Sequence, residues 1–85
     1  MELNIYPNPF NNNLNIDFTL KENSNIRISL FNSLGQEVML LKEENNLTAG
    51  NHTVSIDGIS LEPGMYFCKF ETSDQTSIRK ILLSR

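Results

Sequence analysis

Leu14-Asn15-Ile16-Asp17-Phe18-Thr19-Leu20 alternates apolar and polar side chains without a break. Successive side chains of a β-strand point to opposite faces, so the run places Leu14, Ile16, Phe18 and Leu20 on one side and Asn15, Asp17 and Thr19 on the other. It reads as a half-buried strand, and the same pattern recurs along the chain. Ile26, Ile28 and Leu30 repeat it against Arg27 and Ser29. Val38 and Leu40 continue it, followed by Val54 and Ile56, then by Tyr66, Cys68 and Phe70. Leu3 to Tyr6 supplies a short first strand. The last run, residues 78–83, leaves two registers open: either Ile78, Lys80 and Leu82 share the buried face, or Arg79, Ile81 and Leu83 do.

The segments between these runs carry turn signals. Asn32-Ser33-Leu34-Gly35 suits a type I turn that closes through a glycine at positive φ. Thr48-Ala49-Gly50-Asn51 and Glu62-Pro63-Gly64 open the fifth and sixth strands in the same way. Residues 21–25 are polar and end in Ser and Asn, which predicts a short hairpin loop. Residues 43–47 form the one stretch with any helical tendency, and it is too short and too rich in Asn for a stable helix. Seven short strands, each with one apolar face, need two sheets facing each other. The expectation is an all-β fold, a seven-stranded antiparallel immunoglobulin-like β-sandwich. The antibody hallmarks, a core Trp and a Cys pair, are missing.

Size and composition narrow the function. A chain of 85 residues is short enough for one domain spanning 1–85. With 39% apolar and 20% charged residues it can build a core and is too apolar for a disordered tail. The net charge of −3 and the scattered basic residues argue against a nucleic-acid partner. Cys68 is the sole cysteine, so no internal disulfide forms and stability rests on packing. No run of eighteen apolar residues is present, so no membrane span is expected. Met1-Glu2-Leu3-Asn4 has neither a basic nor an apolar leader segment, so no signal peptide is expected there.

Candidate chemistry is sparse. His52 has Ser55 and Asp57 nearby, but on a strand those two point away from it, which argues against a triad. Cys68 sits mid-strand between apolar neighbours and reads as a buried, inert thiol. Zinc has no second Cys or His to complete a site, and Glu43-Glu44-Asn45-Asn46 lacks the spacing of a calcium loop. Asn46-Leu47-Thr48 and Asn51-His52-Thr53 match the glycosylation sequon, as chance allows in so Asn-rich a chain. No catalytic residue, metal site or cofactor is expected, and the protein is not expected to be an enzyme. Tyr6-Pro7-Asn8-Pro9-Phe10 is more pointed: two prolines remove two backbone donors and impose a rigid corner. The local expectation is an edge strand ending there, with Tyr6 and Phe10 as apolar plugs.

Tyr6-Pro7-Asn8-Pro9-Phe10 followed by Leu14-Asn15-Ile16, then Leu30-Phe31-Asn32-Ser33-Leu34-Gly35-Gln36-Glu37-Val38, resembles a type A C-terminal sorting domain of the type IX (Por) secretion system. Ala49-Gly50-Asn51-His52-Thr53-Val54, Leu61-Glu62-Pro63-Gly64-Met65-Tyr66 and the terminal Lys80-Ile81-Leu82-Leu83-Ser84-Arg85 follow in the family's order, so the resemblance covers nearly the whole chain. It implies an export label at the C-terminus of a larger secreted protein of a Gram-negative, Bacteroidetes-type bacterium, from which this domain has been excised. The label folds in the periplasm behind a fused passenger and engages outer-membrane type IX translocation and shuttle proteins. A sortase-like cysteine protease then usually removes it, leaving the passenger secreted or on the cell surface. Carried onto this sequence, the recognition motif comprises Tyr6, Pro7, Asn8 and Pro9, the turn glycine Gly35, Gly64 and Tyr66, and the terminal Lys80 and Arg85.

Two other readings differ in class. The opening motif and the Gly64-Met65-Tyr66 element also resemble non-cleaved structural or adhesive immunoglobulin-like domains of flagellar hook-capping proteins and bacterial surface enzymes. In such a domain Arg85 would be dispensable. A carbohydrate-binding module would need a strip of exposed aromatics, and here only Phe31 is expected outside. One phenylalanine makes a poor platform.

Overall fold

The computed structural model describes residues 2–84 and contains the expected seven strands. They are β1 (Leu3–Tyr6), β2 (Leu14–Leu20), β3 (Ser24–Asn32), β4 (Glu37–Leu47), β5 (Gly50–Ile56), β6 (Gly64–Glu71) and β7 (Thr76–Leu83). No helix occurs among the described residues. The strands form two antiparallel sheets, one in the order β1-β2-β5 and the other β4-β3-β6-β7.

The alternation of β2 decides which face is dry. Leu14, Ile16, Phe18 and Leu20 are all buried, while the residues between them are half-exposed. In β3, Ile26, Ile28 and Leu30 face the opposite sheet, and β6 contributes Tyr66, Cys68 and Phe70. The two sheets share one core, with the rings of Phe18 and Phe70 packed at 4.7 Å between centroids. Nonpolar surface removed from water is the main favourable contribution to such a fold, at roughly 25 cal/mol per Å². Half-buried Met39, Leu41, Val54 and Ile56 extend the core toward the edges.

The ambiguous register of the last strand resolves with Ile81 and Leu83 inside. Ile78 and Leu82 lie on the outer face and are exposed. Gly35 has φ +82°, as its turn requires, and its amide donates to the Asn32 carbonyl at 3.0 Å. The Asn32 side chain completes this turn by accepting from the amides of Leu34 and Gln36.

Three local expectations need correction. Residues 21–25 do not close a hairpin, because β2 and β3 belong to different sheets and the loop crosses between them. In β4 it is Met39 and Leu41, not Val38 and Leu40, that pack on the core, and the strand runs on through Glu43 and Glu44, paired with β3 and held by an ion pair from Arg27 to Glu43 at 3.4 Å, to an irregularity at Asn46. Tertiary pairing here overrides local preference. Tyr6 is no apolar plug: it is 44% exposed and donates its hydroxyl to Asp17 at 3.0 Å. Phe10 does plug the core, at 1% exposure.

The asparagines have structural work. Asn23 and Asn25 accept from the amides of Ala49 and Asn46, tying the crossover to the β4–β5 corner. Asn46 itself has φ 55°, a conformation that Asn tolerates better than most residues. Side-chain amides thus satisfy backbone groups where no strand pairs.

Candidate functional site

The chain leaves β1 through Pro7 and Pro9, neither of which carries an amide hydrogen. Both preceding peptide bonds, Tyr6–Pro7 and Asn8–Pro9, are cis. Lacking the amide donors of Pro7 and Pro9, the segment cannot pair as an ordinary strand, and it binds β7 through the groups it still has. Asn8 Oδ1 accepts from the Leu82 amide at 3.1 Å, and Asn8 Nδ2 donates to the Lys80 carbonyl at 3.4 Å. The Phe10 amide donates to the Leu82 carbonyl at 2.8 Å, and the Phe10 carbonyl accepts from the Ser84 amide at 2.8 Å. Phe10 and Leu83 form a parallel bridge. Residues 7–10 thus strap the outer edge of the last strand, with the buried Phe10 ring as the anchor.

The neighbouring strands bring the remaining motif residues to the same end of the sheet. Gly64 is paired with Leu83, and Tyr66 with Ile81. Gly64 has φ +150°, which favours glycine at the point where residues 57–63 enter β6. The Tyr66 ring is buried and its hydroxyl donates to the Glu62 carbonyl at 2.5 Å, fixing that approach. On its other side Tyr66 pairs with Asn32, the last residue of β3, so the Gly35 turn projects from this end as well. Lys80 pairs with Phe67 and is exposed, with its backbone carbonyl held by Asn8. Pro7, Asn8, Pro9, Gly35, Gly64, Tyr66 and Lys80 therefore collect around one end of the four-stranded sheet. Tyr6 stands beside it at the end of β1, where the hydrogen bond to Asp17, with burial and the carboxylate charge, raises its phenol above the ordinary value. Arg85 lies outside the described residues.

Sequence reasoning missed two supports of this site. Ile59, in the connection between β5 and β6, is fully buried, and its amide donates to the Asn12 carbonyl at 2.8 Å. It anchors the loop that follows the strap. A lone isoleucine in a polar stretch, three residues after the Ile56 that ends β5, was the available signal. The second is the Asn8 side chain, whose bonds to β7 span more than seventy positions in sequence.

Catalytic geometry does not form among the candidates weighed. His52 stacks on Phe18 at 5.4 Å and its Nε2 contacts the Thr48 carbonyl at 2.7 Å. Ser55 instead donates to Asn15 Oδ1. Cys68 is fully buried, and loss of hydration pushes its thiol up to about 12. Among the described residues no cluster of three or more His, Cys, Asp or Glu side chains is placed to hold a metal ion. What the sheet end offers is a shaped surface with fixed backbone and the exposed Lys80.

The family model described as a secretion system C-terminal sorting domain matches residues 4–84. No curated protein matches. The family match runs through the strap, the Gly35 turn, the Gly64–Tyr66 element and β7 in one span. The chain belongs to the type IX secretion C-terminal sorting domain family, a family of export signals rather than enzymes.

Proposed function

We propose that residues 1–85 form one non-catalytic sorting unit at the C-terminus of a larger secreted protein, and that the strapped sheet end is the part the export machinery reads. The observation that carries this reading is the convergence of motif residues from positions 7 to 80 at one end of one sheet. Family membership carries with it export to the cell surface or beyond through the type IX machinery. The passenger waits in the periplasm while the tail folds. Outer-membrane translocation and shuttle proteins then engage the folded tail, and a sortase-like cysteine protease removes it. Lys80 supplies charge that a partner meets near Asn8, and Arg85 adds the second cation of the terminal motif. The two-sheet strand order, with β2 beside β5 and β3 beside β6, supports an immunoglobulin-like description of the fold.

Deleting residues 80–85 from a passenger fusion tests the assignment. The deletion removes the strap's partner strand end and both terminal cations, so export of the passenger is expected to stop. Undiminished export by the deleted fusion would refute a recognition role for this end.

A further inference from the structure

The two sheets differ in the faces they turn to solvent. The outer face of the β1-β2-β5 sheet carries Asn4, Asn15, Asp17, Thr19, Asn51, Thr53 and Ser55, and its one aromatic, Tyr6, is tethered to Asp17. A solvated sheet face is expected to look like this. The outer face of the other sheet carries Phe31, Met65, Phe67, Ile78 and Leu82 in adjoining positions, with Leu40 on the neighbouring edge strand. Ile78 is 57% exposed, and Leu40, Met65 and Leu82 are each more than two-fifths exposed. A groove of about 420 Å³ opens between Phe31, Phe67 and Ile78, with Lys69 at its rim. Contiguous apolar surface of this kind on a soluble domain marks an interaction site.

Charge on this face identifies the complement. Glu37 and Glu43 are answered by Arg27, and Glu71 lies 3.8 Å from Lys69. Lys80 forms no ion pair among the described residues and stands between Ile78 and Leu82 on the same face. The face presents fewer positions than the roughly 20–30 residues per side that a stable complex uses, so its size fits a transient encounter rather than a permanent dimer. It is continuous with the strapped sheet end through Lys80.

We infer that the outer face of the β4-β3-β6-β7 sheet docks a protein surface of the export machinery that seats an apolar side chain in the Phe31–Phe67–Ile78 groove and sets a carboxylate against Lys80. This rests on the sorting reading above.

The test is passenger export by the whole-domain fusion carrying Ile78→Glu or Lys80→Glu, with Ser55→Glu on the polar sheet as the control. Melting of each purified domain establishes that it is folded. Export is expected to fall about tenfold or more for the first two, the effect of losing about 1.4 kcal/mol at a contact, and to persist for the control. If the unsubstituted fusion is itself not exported, the sorting reading fails. If it is exported and folded Ile78→Glu is exported equally well, the docking face is refuted while the sorting reading stands. Sedimentation that reveals a dimer abolished by Ile78→Glu would assign the face to a second copy and overturn the heterologous partner.

Discussion

Asn8→Ala isolates the strap from the rest of the fold. The substitution removes the bond to the Leu82 amide at 3.1 Å and the longer one to the Lys80 carbonyl at 3.4 Å. A net hydrogen bond contributes about 0.5–1.5 kcal/mol, and one at 3.4 Å sits at the weak end. The summed loss is about 1 kcal/mol, against a total stability of roughly 4–13 kcal/mol for a chain of this length. That shifts the melting midpoint by about 4–8 °C. The local effect is larger, because Leu82 loses the only acceptor on its outer edge. In amide hydrogen exchange its protection collapses, whereas amides of β3, inside the sheet, change only with global stability. Asn8→Asp supplies the control: its carboxylate still accepts from Leu82 but faces the Lys80 carbonyl without a donor, so Leu82 stays protected and a smaller loss remains. Unchanged Leu82 exchange in Asn8→Ala would refute the claim that the strap seals this edge.

Gly64→Val is expected to destabilise the domain by about 1–3 kcal/mol through backbone strain alone, since an added Cβ meets no atom within 4 Å and φ is +150°; chemical denaturation measures it, and a wild-type midpoint would contradict the account. Ser29 is fully buried with no partner for its hydroxyl, so Ser29→Ala is expected to match or exceed wild-type stability by up to about 1 kcal/mol. A clear loss in the same denaturation series would point to an unrecognised bond. Cys68 is expected to resist alkylation in the folded protein at pH 8 and to react at the rate of unfolding. Its thiol ionises near 8.5 in the unfolded chain and at about 12 in the fold. Between those values only the unfolded state has lost the proton, so stability falls as pH rises through that window. A Cys68→Ala protein lacks this component of the alkaline decline, which pH-dependent melting would reveal.

Local pattern was enough where one face is buried and the other wet. In β2 every apolar residue is inside, because the opposite sheet covers that face and water meets the other. In β7 both parities are apolar, and only packing against β6 and the core selects Ile81 and Leu83 over Ile78 and Leu82. The docking face proposed above gives the outward pair a reason to be apolar that is unrelated to folding. The crossover at residues 21–25 has the polar composition of a hairpin, since both connections need a short solvated turn. Which sheet comes next is settled by long-range pairing. Glu43 and Glu44 lie extended because β3 supplies a template, a cause that no local signal displays. The site divides in the same way. Pro7, Asn8, Pro9, Gly64 and Lys80 stand out as residues, but contact between the strap and the last strand is a product of the closed fold. The family resemblance named these residues, and the structure brings them side by side.

The central claim is that this domain directs export, and passenger localisation tests it most directly. A fluorescent passenger with a signal peptide, with or without this domain at its C-terminus, is expressed in bacteria with and without a working type IX system. The account predicts passenger outside the cell only when both the domain and the system are present. Passenger retained in the periplasm of the competent strain, behind a domain shown to be folded, would contradict it.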